Sequence, residues 1–260
     1  MCLLRYGFFR RSKVRIKLTI AYDGTNYAGW QIQKNALTIE EVLNKALTKL
    51  TGEQVAVIGA SRTDSGVHAA GQIAVFDTDS SIPAERFSYA INQKLPADIV
   101  VLHSEAVPDD WHPRYQDKIL KTYRYRILNT KEKDPLRRLY TAHVSFPLAI
   151  DNMQEASSYL LGTHDFTGFS NIKSEVLSGV RTITALELEK VGEEIALTIT
   201  GDGFLYNMVR MIAGVLIRVG RGFYGPEKVK EILENRERTK DRLTAPACGL
   251  TLLEIRYDEE

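Results

Sequence analysis

The chain has 260 residues, of which 44 % are hydrophobic and 26 % are charged, as in ordinary globular proteins. No apolar run reaches the roughly 18 residues of a membrane span, and charge follows the first apolar residues instead of preceding them. We therefore expect neither a membrane segment nor a signal peptide. Two cysteines are too few for a disulfide framework or a four-ligand zinc site, so we expect neither. The formal net charge of +1 argues, taken alone, against a nucleic-acid partner.

The first half of the chain predicts strands and helices in alternation. Residues 14–20 alternate between apolar and polar side chains, which indicates a half-buried strand. Thr38 and Glu41 have the spacing of a capping box, so a helix is predicted over 38–50, with Gly52 ending it. The further predictions are strands at 55–58, 73–76 and 99–104 and a helix from Pro83 to Lys94.

The second half predicts a similar order of elements. Its strands are expected at 122–128, 182–190, 194–200 and 249–257, and its helices at 151–161 with Asp151 as the cap, 204–219 and 226–235. Compact strand–helix–strand units are rare, so we predict an α+β architecture of two similar halves, each a largely antiparallel sheet backed by helices. The predicted divisions are an extension at 1–13, a first half at 14–108 and a second half at 109–260.

The near-zero net charge conceals local basic segments. Residues 1–17 contain six basic residues and no acidic one, and residues 118–138 contain eight basic and two acidic residues. Residues 204–222 add three arginines without an acid. A single charge run is as often a solvated face as a binding surface. Three such segments together favour an anionic polymer as the partner.

The loop at residues 59–71 carries an unusual set of chemical groups. Its small residues let the backbone approach a ligand, and among them stand Arg62, Asp64 and His68. We expect Asp64 to be held ionised by the flanking backbone amides of residues 63, 65 and 66, and by Arg62. A simple turn built on Asp64 explains the pattern equally well. The five histidines are far apart in sequence, so no metal site is expected.

The segment Arg-Thr-Asp-Ser-Gly-Val-His at 62–68 resembles the central motif of the TruA family of tRNA pseudouridine synthases. The similarity extends over roughly residues 14–258. Further matching blocks lie at 22–24, 29–31, 95–99, 111–115, 121–126, 161–169, 204–214 and 245–250. The family usually has glycine where this chain has Ser61, a departure that we expect to touch no residue needed for chemistry.

The resemblance implies a continuous pseudouridine-synthase sheet with a central cleft, and an enzyme that converts uridine to pseudouridine at positions 38–40 of the tRNA anticodon stem-loop. It implies that Asp64 acts at the sugar, by attacking C1′ or by removing the C2′ proton. Arg210 is expected to pair with Asp64. Tyr123 is expected to stack on the target base and to assist removal of the C5 proton, whereas Tyr125 fits the core better.

The resemblance also implies substrate contacts, partners and a location. Arg62 is expected to fill the space left by a flipped base, and Leu250 to pack beside the uracil, although an ordinary core role suits Leu250 nearly as well. His68, Lys121 and Arg124 complete the expected RNA-binding residues. The implied enzyme is a cytoplasmic homodimer that uses no cofactor or metal and has no membrane association.

Three other functions remain open from the sequence. The same chemistry on a different RNA, or on fewer tRNA positions, fits the motifs equally, because the motifs do not encode the substrate. A catalytically inactive RNA-binding relative is disfavoured by the joint presence of Asp64, Tyr123 and Arg210. A small-molecule hydrolase using Asp64 or Ser65 has no use for the basic segments.

Overall fold

The computed structural model describes residues 13–170, 178–237 and 243–257, so most of the predicted extension at 1–13 lies outside the described residues. These residues form one ten-stranded sheet and five α-helices, a mixed α/β fold. The strands are β1 (Val14–Tyr22), β2 (Ile58–Gly59), β3 (His68–Thr78), β4 (Ile99–Val107), β5 (Ile119–Leu128), β6 (Ala142–His143), β7 (Gly162–Asp165), β8 (Val180–Val191), β9 (Glu194–Gly201) and β10 (Leu250–Tyr257). The helices are α1 (Ile39–Thr51), α2 (Phe87–Asn92), α3 (Ile150–Ser158), α4 (Met208–Gly220) and α5 (Lys228–Asn235).

The main path of the sheet runs β4-β1-β3-β10-β5-β9-β8-β7, with β2 paired to β3 and β6 to β5. Neighbours are antiparallel except for β3 with β10 and β5 with β6. The parallel contact between β3 and β10 is short: Thr251 lies opposite His68, and Leu252 opposite Ala69. The last strand of the chain therefore lies in the middle of the sheet, beside the strand that follows the Asp64 loop.

The helix α1 forms where the capping pattern predicts it. Thr38 Oγ1 accepts a hydrogen bond from the Glu41 amide at 3.4 Å, and Gly52 ends the helix with a φ of 75°. The Glu41 carboxylate binds Lys45, one turn further on, at 2.5 Å. Only one of the two hydrogen bonds expected of a capping box is therefore formed between Thr38 and Glu41 within the described residues.

Several element boundaries differ from the prediction. Ala149, not Asp151, precedes α3, and Asp151 lies in its first turn. The helix predicted over 83–94 is a 3-10 turn at Ala84–Arg86 followed by α2. The strand predicted at 55–58 shrinks to β2, and β6 and β7 have no counterpart among the predicted elements. These short elements depend on neighbouring strands more than on their own sequence pattern.

The helix predicted over 204–219 begins four residues later, at Met208. The reason is Asn207, whose φ of 61° and ψ of 6° are left-handed and cannot continue a right-handed helix. Residues 204–207 are consequently a loop, although their apolar side chains match the helical spacing of α4. The helix itself is mostly buried: ten of its 13 residues are shielded from solvent, so α4 is a core element.

The core extends along the sheet and under the helices. Alternate residues of β1 are buried, and the largest fully buried side chains include Trp30, Tyr125 and Phe76. Tyr125 is in the core as predicted, with its hydroxyl donating to the Pro246 carbonyl at 2.9 Å. Among the helices described, none has the length and apolar character needed to span a lipid bilayer.

Candidate active site

A cavity of about 1060 Å³ is lined by segments that are distant in sequence. The Asp64 loop, the start of β5, the loop before α4 and the start of β10 all contribute. Because β10 lies between β3 and β5, the sheet topology brings these segments together. Of the residues predicted for the site, those that line the cavity are Arg62, Asp64, Lys121, Tyr123 and Leu250.

Asp64 is largely buried and faces Arg210. One Arg210 Nη1 donor lies 3.2 Å from Asp64 Oδ2, and the side chains of Arg210 and Asp64 are only 17 % and 13 % exposed, respectively. Burial raises the pKa of Asp64, and the charge and hydrogen bond of Arg210 act against that rise without cancelling it. Asp64 is thus a carboxylate whose ionised form depends on a single cation.

The expected hydrogen bonds between Asp64 and its flanking amides are not formed. Among the described residues, the Asp64 carboxylate accepts only from Arg210, while the Val67 amide donates to the Asp64 main-chain carbonyl at 3.1 Å. Arg62 is exposed at the cavity. The prediction that loop amides and Arg62 hold Asp64 ionised is therefore wrong, because the loop turns the carboxylate toward α4.

Arg210 is held by three acceptors. Its Nε donates to the Ala245 carbonyl at 2.9 Å, and its Nη1 donates to Asn207 Oδ1 at 3.0 Å as well as to Asp64. The Ala245 amide in turn donates to the Arg210 carbonyl at 3.1 Å. These contacts fix the guanidinium at the first turn of α4, so the position of the charge beside Asp64 is defined by the fold.

Tyr123 is buried beside Asp64. Its hydroxyl lies 2.7 Å from Ser61 Oγ, and its ring packs edge-on against Phe204 with centroids 5.2 Å apart. Burial raises the pKa of Tyr123 to about 12, so the phenol is neutral near pH 7. Ser61, where the family usually has glycine, therefore contacts a residue to which the resemblance assigns a role in the chemistry, contrary to our expectation.

Positive charge gathers at the same cavity. Lys121 donates from Nζ to the Ala60 carbonyl at 2.9 Å, and burial together with Arg114 and Arg181 lowers the pKa of Lys121 to about 8. Arg114 and Arg181 both line the cavity, yet sequence reasoning did not single them out. The sequence feature that could have identified Arg114 is its position in the 111–115 segment, which resembles the family. These cations favour an anionic ligand.

Leu250 is expected either to contact the substrate or to be an ordinary core residue, and its position is compatible with both. It is 5 % exposed, pairs with Tyr125 across the sheet and also lines the cavity. Its side chain is therefore a core residue whose surface forms part of the cavity wall.

Two predicted binding residues lie away from the cavity. Arg124 follows Tyr123 on β5, so it points to the opposite face of the sheet, where its Nε donates to Thr198 Oγ1 at 3.1 Å. His68 is buried: its Nδ1 accepts from the Gly24 amide at 3.1 Å and its Nε2 donates to the Leu139 carbonyl at 2.9 Å.

Other basic residues of the 118–138 segment are engaged in ion pairs. Arg126 binds Glu194 at 2.6 Å, and Arg137 binds both Asp134 and Glu193. Their charge is partly neutralised within the protein. In the residues that the structure describes, no group of three or more His, Cys, Asp or Glu side chains is arranged to hold a metal ion.

A buried, ion-paired carboxylate beside a tyrosine, in a cavity lined by cations, has the features of an enzyme site for an anionic substrate. The sequence profile described as tRNA pseudouridine synthase matches residues 18–116 and 156–258. These two ranges cover more than half of the chain and include Asp64 and Arg210.

Proteins of similar sequence are also named as tRNA pseudouridine synthases. Proteins named tRNA pseudouridine synthase A from Thermoanaerobacter sp. (strain X514) and Acetivibrio thermocellus are 50 % and 51 % identical over 242 residues, each alignment covering 93 % of this chain and 99 % of the relative. One from Brevibacillus brevis is 45 % identical over 243 residues, 94 % of this chain and 99 % of the relative. The chain belongs to the TruA family of tRNA pseudouridine synthases.

Proposed function

We propose that this protein converts uridine to pseudouridine in the anticodon stem-loop of tRNA, at positions 38–40. The observation that carries the proposal is the Asp64–Arg210 pair at 3.2 Å in a cavity that also contains Tyr123. Relatives with about half of their residues identical are named for this activity. The reaction breaks the N1–C1′ bond, turns the base and joins C5 to C1′, after which the C5 proton is lost and N1 gains a proton. All of these changes occur within one nucleotide, so the mechanism uses no redox cofactor.

Asp64 is proposed to act at the ribose, either by attacking C1′ or by taking the C2′ proton. Both routes require an ionised carboxylate, which the guanidinium of Arg210 favours. Tyr123, Phe204 and Leu250 provide the apolar walls that hold the uracil. Because Tyr123 is neutral and hydrogen-bonded to Ser61, its hydroxyl can relay a proton near C5.

The cationic wall is proposed to bind RNA phosphates. The cavity is lined by Lys121, Arg114 and Arg181. Asp64 is the one acidic residue among the described residues that line it. Arg62, which is exposed at the same cavity, is proposed to occupy the space left by a displaced base. The roles that the resemblance implies for His68 and Arg124 stay predictions, because both side chains lie outside the cavity.

The wider organisation is proposed on the same basis. Two similar halves, residues 14–108 and 109–260, are proposed to meet at a central cleft that includes the cavity beside Asp64. A cytoplasmic homodimer would double the cationic surface offered to one tRNA, which suits a chain with a net charge of only +1. Light scattering of the purified protein tests the dimer, and a monomer at micromolar concentration contradicts it.

The activity is tested by conversion of an unmodified tRNA transcript. The wild-type protein is expected to release tritium from 5-tritiated uridine in the anticodon stem-loop, and Asp64→Asn to lower the rate by at least about 1000-fold while still binding the RNA. The asparagine keeps the shape of the side chain, removes its charge and replaces one acceptor oxygen with an NH₂ donor. Absence of conversion by the wild-type protein in any RNA tested contradicts the proposed function.

A further inference from the structure

Asn207 precedes α4 and does not cap it. Asparagine before a helix usually accepts a hydrogen bond from an amide of the first turn. Here the side chain makes no such bond, and its Oδ1 accepts from Arg210 Nη1 at 3.0 Å. The residue is also one of two non-glycine residues with a positive φ in the described chain, the other being Arg236. The left-handed backbone of Asn207 therefore directs its amide into the site.

The orientation of that amide follows from its partner. A guanidinium has donors only, so Asn207 presents its oxygen to Arg210 and its Nδ2 must point elsewhere. Asn207 lines the cavity and is only 9 % exposed, and its Nδ2 has no acceptor among the described residues. In the part of the chain that the structure describes, the buried side-chain N and O atoms without a partner are limited to Trp30 Nε1, so Asn207 Nδ2 faces the open cavity, where a ligand can supply its acceptor.

We propose that Asn207 binds the substrate, donating from Nδ2 to a carbonyl oxygen of the target uracil while its oxygen positions Arg210. The inference rests on the proposed function. One Arg210 nitrogen contacts both Asp64 and Asn207, so a nucleotide whose ribose meets Asp64 brings its base close to Asn207. A neutral amide donor matches a neutral carbonyl acceptor, whereas the phosphates find charged partners in Lys121 and Arg114.

The test combines a change in the enzyme with a change in the substrate. Asn207→Gly keeps the left-handed backbone, which glycine adopts freely, and removes the amide. Stem-loop RNAs carry uridine, 2-thiouridine or 4-thiouridine at the target position, because sulfur is a weak hydrogen-bond acceptor. For the wild-type enzyme, one thio substrate is expected to lower kcat/KM about tenfold relative to uridine. In Asn207→Gly, conversion of uridine falls about tenfold or more, and the difference between uridine and that thio substrate disappears.

Two further variants separate binding from folding. Asn207→Asp keeps an acceptor for Arg210 and tolerates the backbone but has no N–H donor, so it also loses the thio discrimination. Arg236→Gly makes the same backbone change outside the cavity and is expected to keep both the rate and the thio discrimination.

An equal thio effect in the wild type and Asn207→Gly overturns the assignment of Asn207, as does an unchanged rate of that variant. A wild-type enzyme that converts no uridine overturns the proposed function itself, which is a distinct result. Thermal unfolding of each variant identifies any loss of rate that comes from misfolding.

Discussion

At the scale of single residues, one positive charge counteracts the effect of burial on the pKa of Asp64. Burial raises the pKa of Asp64, and Arg210 is its only hydrogen-bond donor among the described residues. If the ionised carboxylate is the reactive form, the rate is lost as the pH falls through the pKa of Asp64. The acid limb of the pH–rate profile therefore lies at higher pH than it would for an exposed aspartate.

Arg210→Gln is expected to move that acid limb to still higher pH. Removing the guanidinium leaves burial unopposed, so the pKa of Asp64 rises further and less of it is ionised at neutral pH. The rate at pH 7 should fall about 100-fold. Arg210→Lys, which keeps the charge but cannot reach three acceptors, should move the limb less. An acid limb at the same pH in all three proteins contradicts the role of Arg210 on Asp64.

Lys121 gives a second pH dependence, in RNA affinity. Its pKa of about 8 means that it is charged at pH 7 and loses its charge as the pH rises toward 9. A phosphate binds the charged form, so wild-type affinity should fall several-fold over this range at constant ionic strength. Lys121→Met should bind more weakly at pH 7 and vary less with pH. Lys45→Met on α1 is the control, and RNA affinity is measured by fluorescence anisotropy. If affinity depends on pH in the same way for Lys121→Met and the wild type, this role of Lys121 is excluded.

At the scale of elements, the Asp64 loop is fixed by close backbone contacts. Gly29 has a φ of 91°, and a Cβ there would lie 2.6 Å from the Thr63 carbonyl oxygen. That same oxygen accepts from the Trp30 amide at 3.0 Å. The segment after β1 therefore packs against the backbone next to Asp64, and the position of the carboxylate depends on it.

Gly29→Ala is expected to displace the loop and to lower kcat about 100-fold, since small errors in position at a reacting group have effects of that size. Gly222→Ala is the matched control, because Gly222 has a φ of 75° but open space where the methyl group of an alanine would lie. The two variants share the backbone strain and differ in the contact. Equal kinetics in Gly29→Ala and Gly222→Ala would show that the contact with Thr63 does not position the site.

At the scale of the whole molecule, His68 joins distant parts of the chain. Its ring bonds the Gly24 amide on one side and the Leu139 carbonyl on the other, and it packs against Tyr140 with centroids 5.1 Å apart. Tyr140 in turn donates to Asp23 at 2.6 Å. This cluster, in which His68 is buried and Tyr140 is 44 % exposed, holds the turn after β1 against the segment that precedes β6.

His68→Ala is expected to lower the free energy of unfolding by about 1–3 kcal/mol, because a buried amide and a partly buried carbonyl lose their partner. His103→Ala, at a side chain that is 61 % exposed, should change it little. Urea unfolding measures both. Undiminished stability of His68→Ala with weakened RNA binding would instead support the substrate contact that the family resemblance implies.

The sequence by itself determined the local elements and the chemistry-bearing motif. Alternation in β1 and the Thr38 cap specify local structure through near neighbours, and the 62–68 motif identifies Asp64 within a long resemblance. The sequence did not reveal the loop at 204–207, because the apolar spacing continues that of the helix. The helix begins only after Asn207, whose backbone is left-handed. Apolar spacing in a sequence indicates which side chains are shielded from water. It does not distinguish a side chain on a helix face from one that forms a cavity wall.

Only the tertiary structure decided which groups meet. The pairing of β10 with β3 and β5 brings residues 64, 123 and 250 to one place, over sequence separations that no local pattern encodes. The hydrogen bonds between Arg210 and Ala245, in the segment before β10, add α4 to them. The tertiary structure also decided that the loop amides do not bind the Asp64 carboxylate, and that Arg124 and His68 lie outside the cavity. Electrostatic interactions and hydrogen bonds depend on distance in space, so their partners are set by the sheet topology and not by position along the chain.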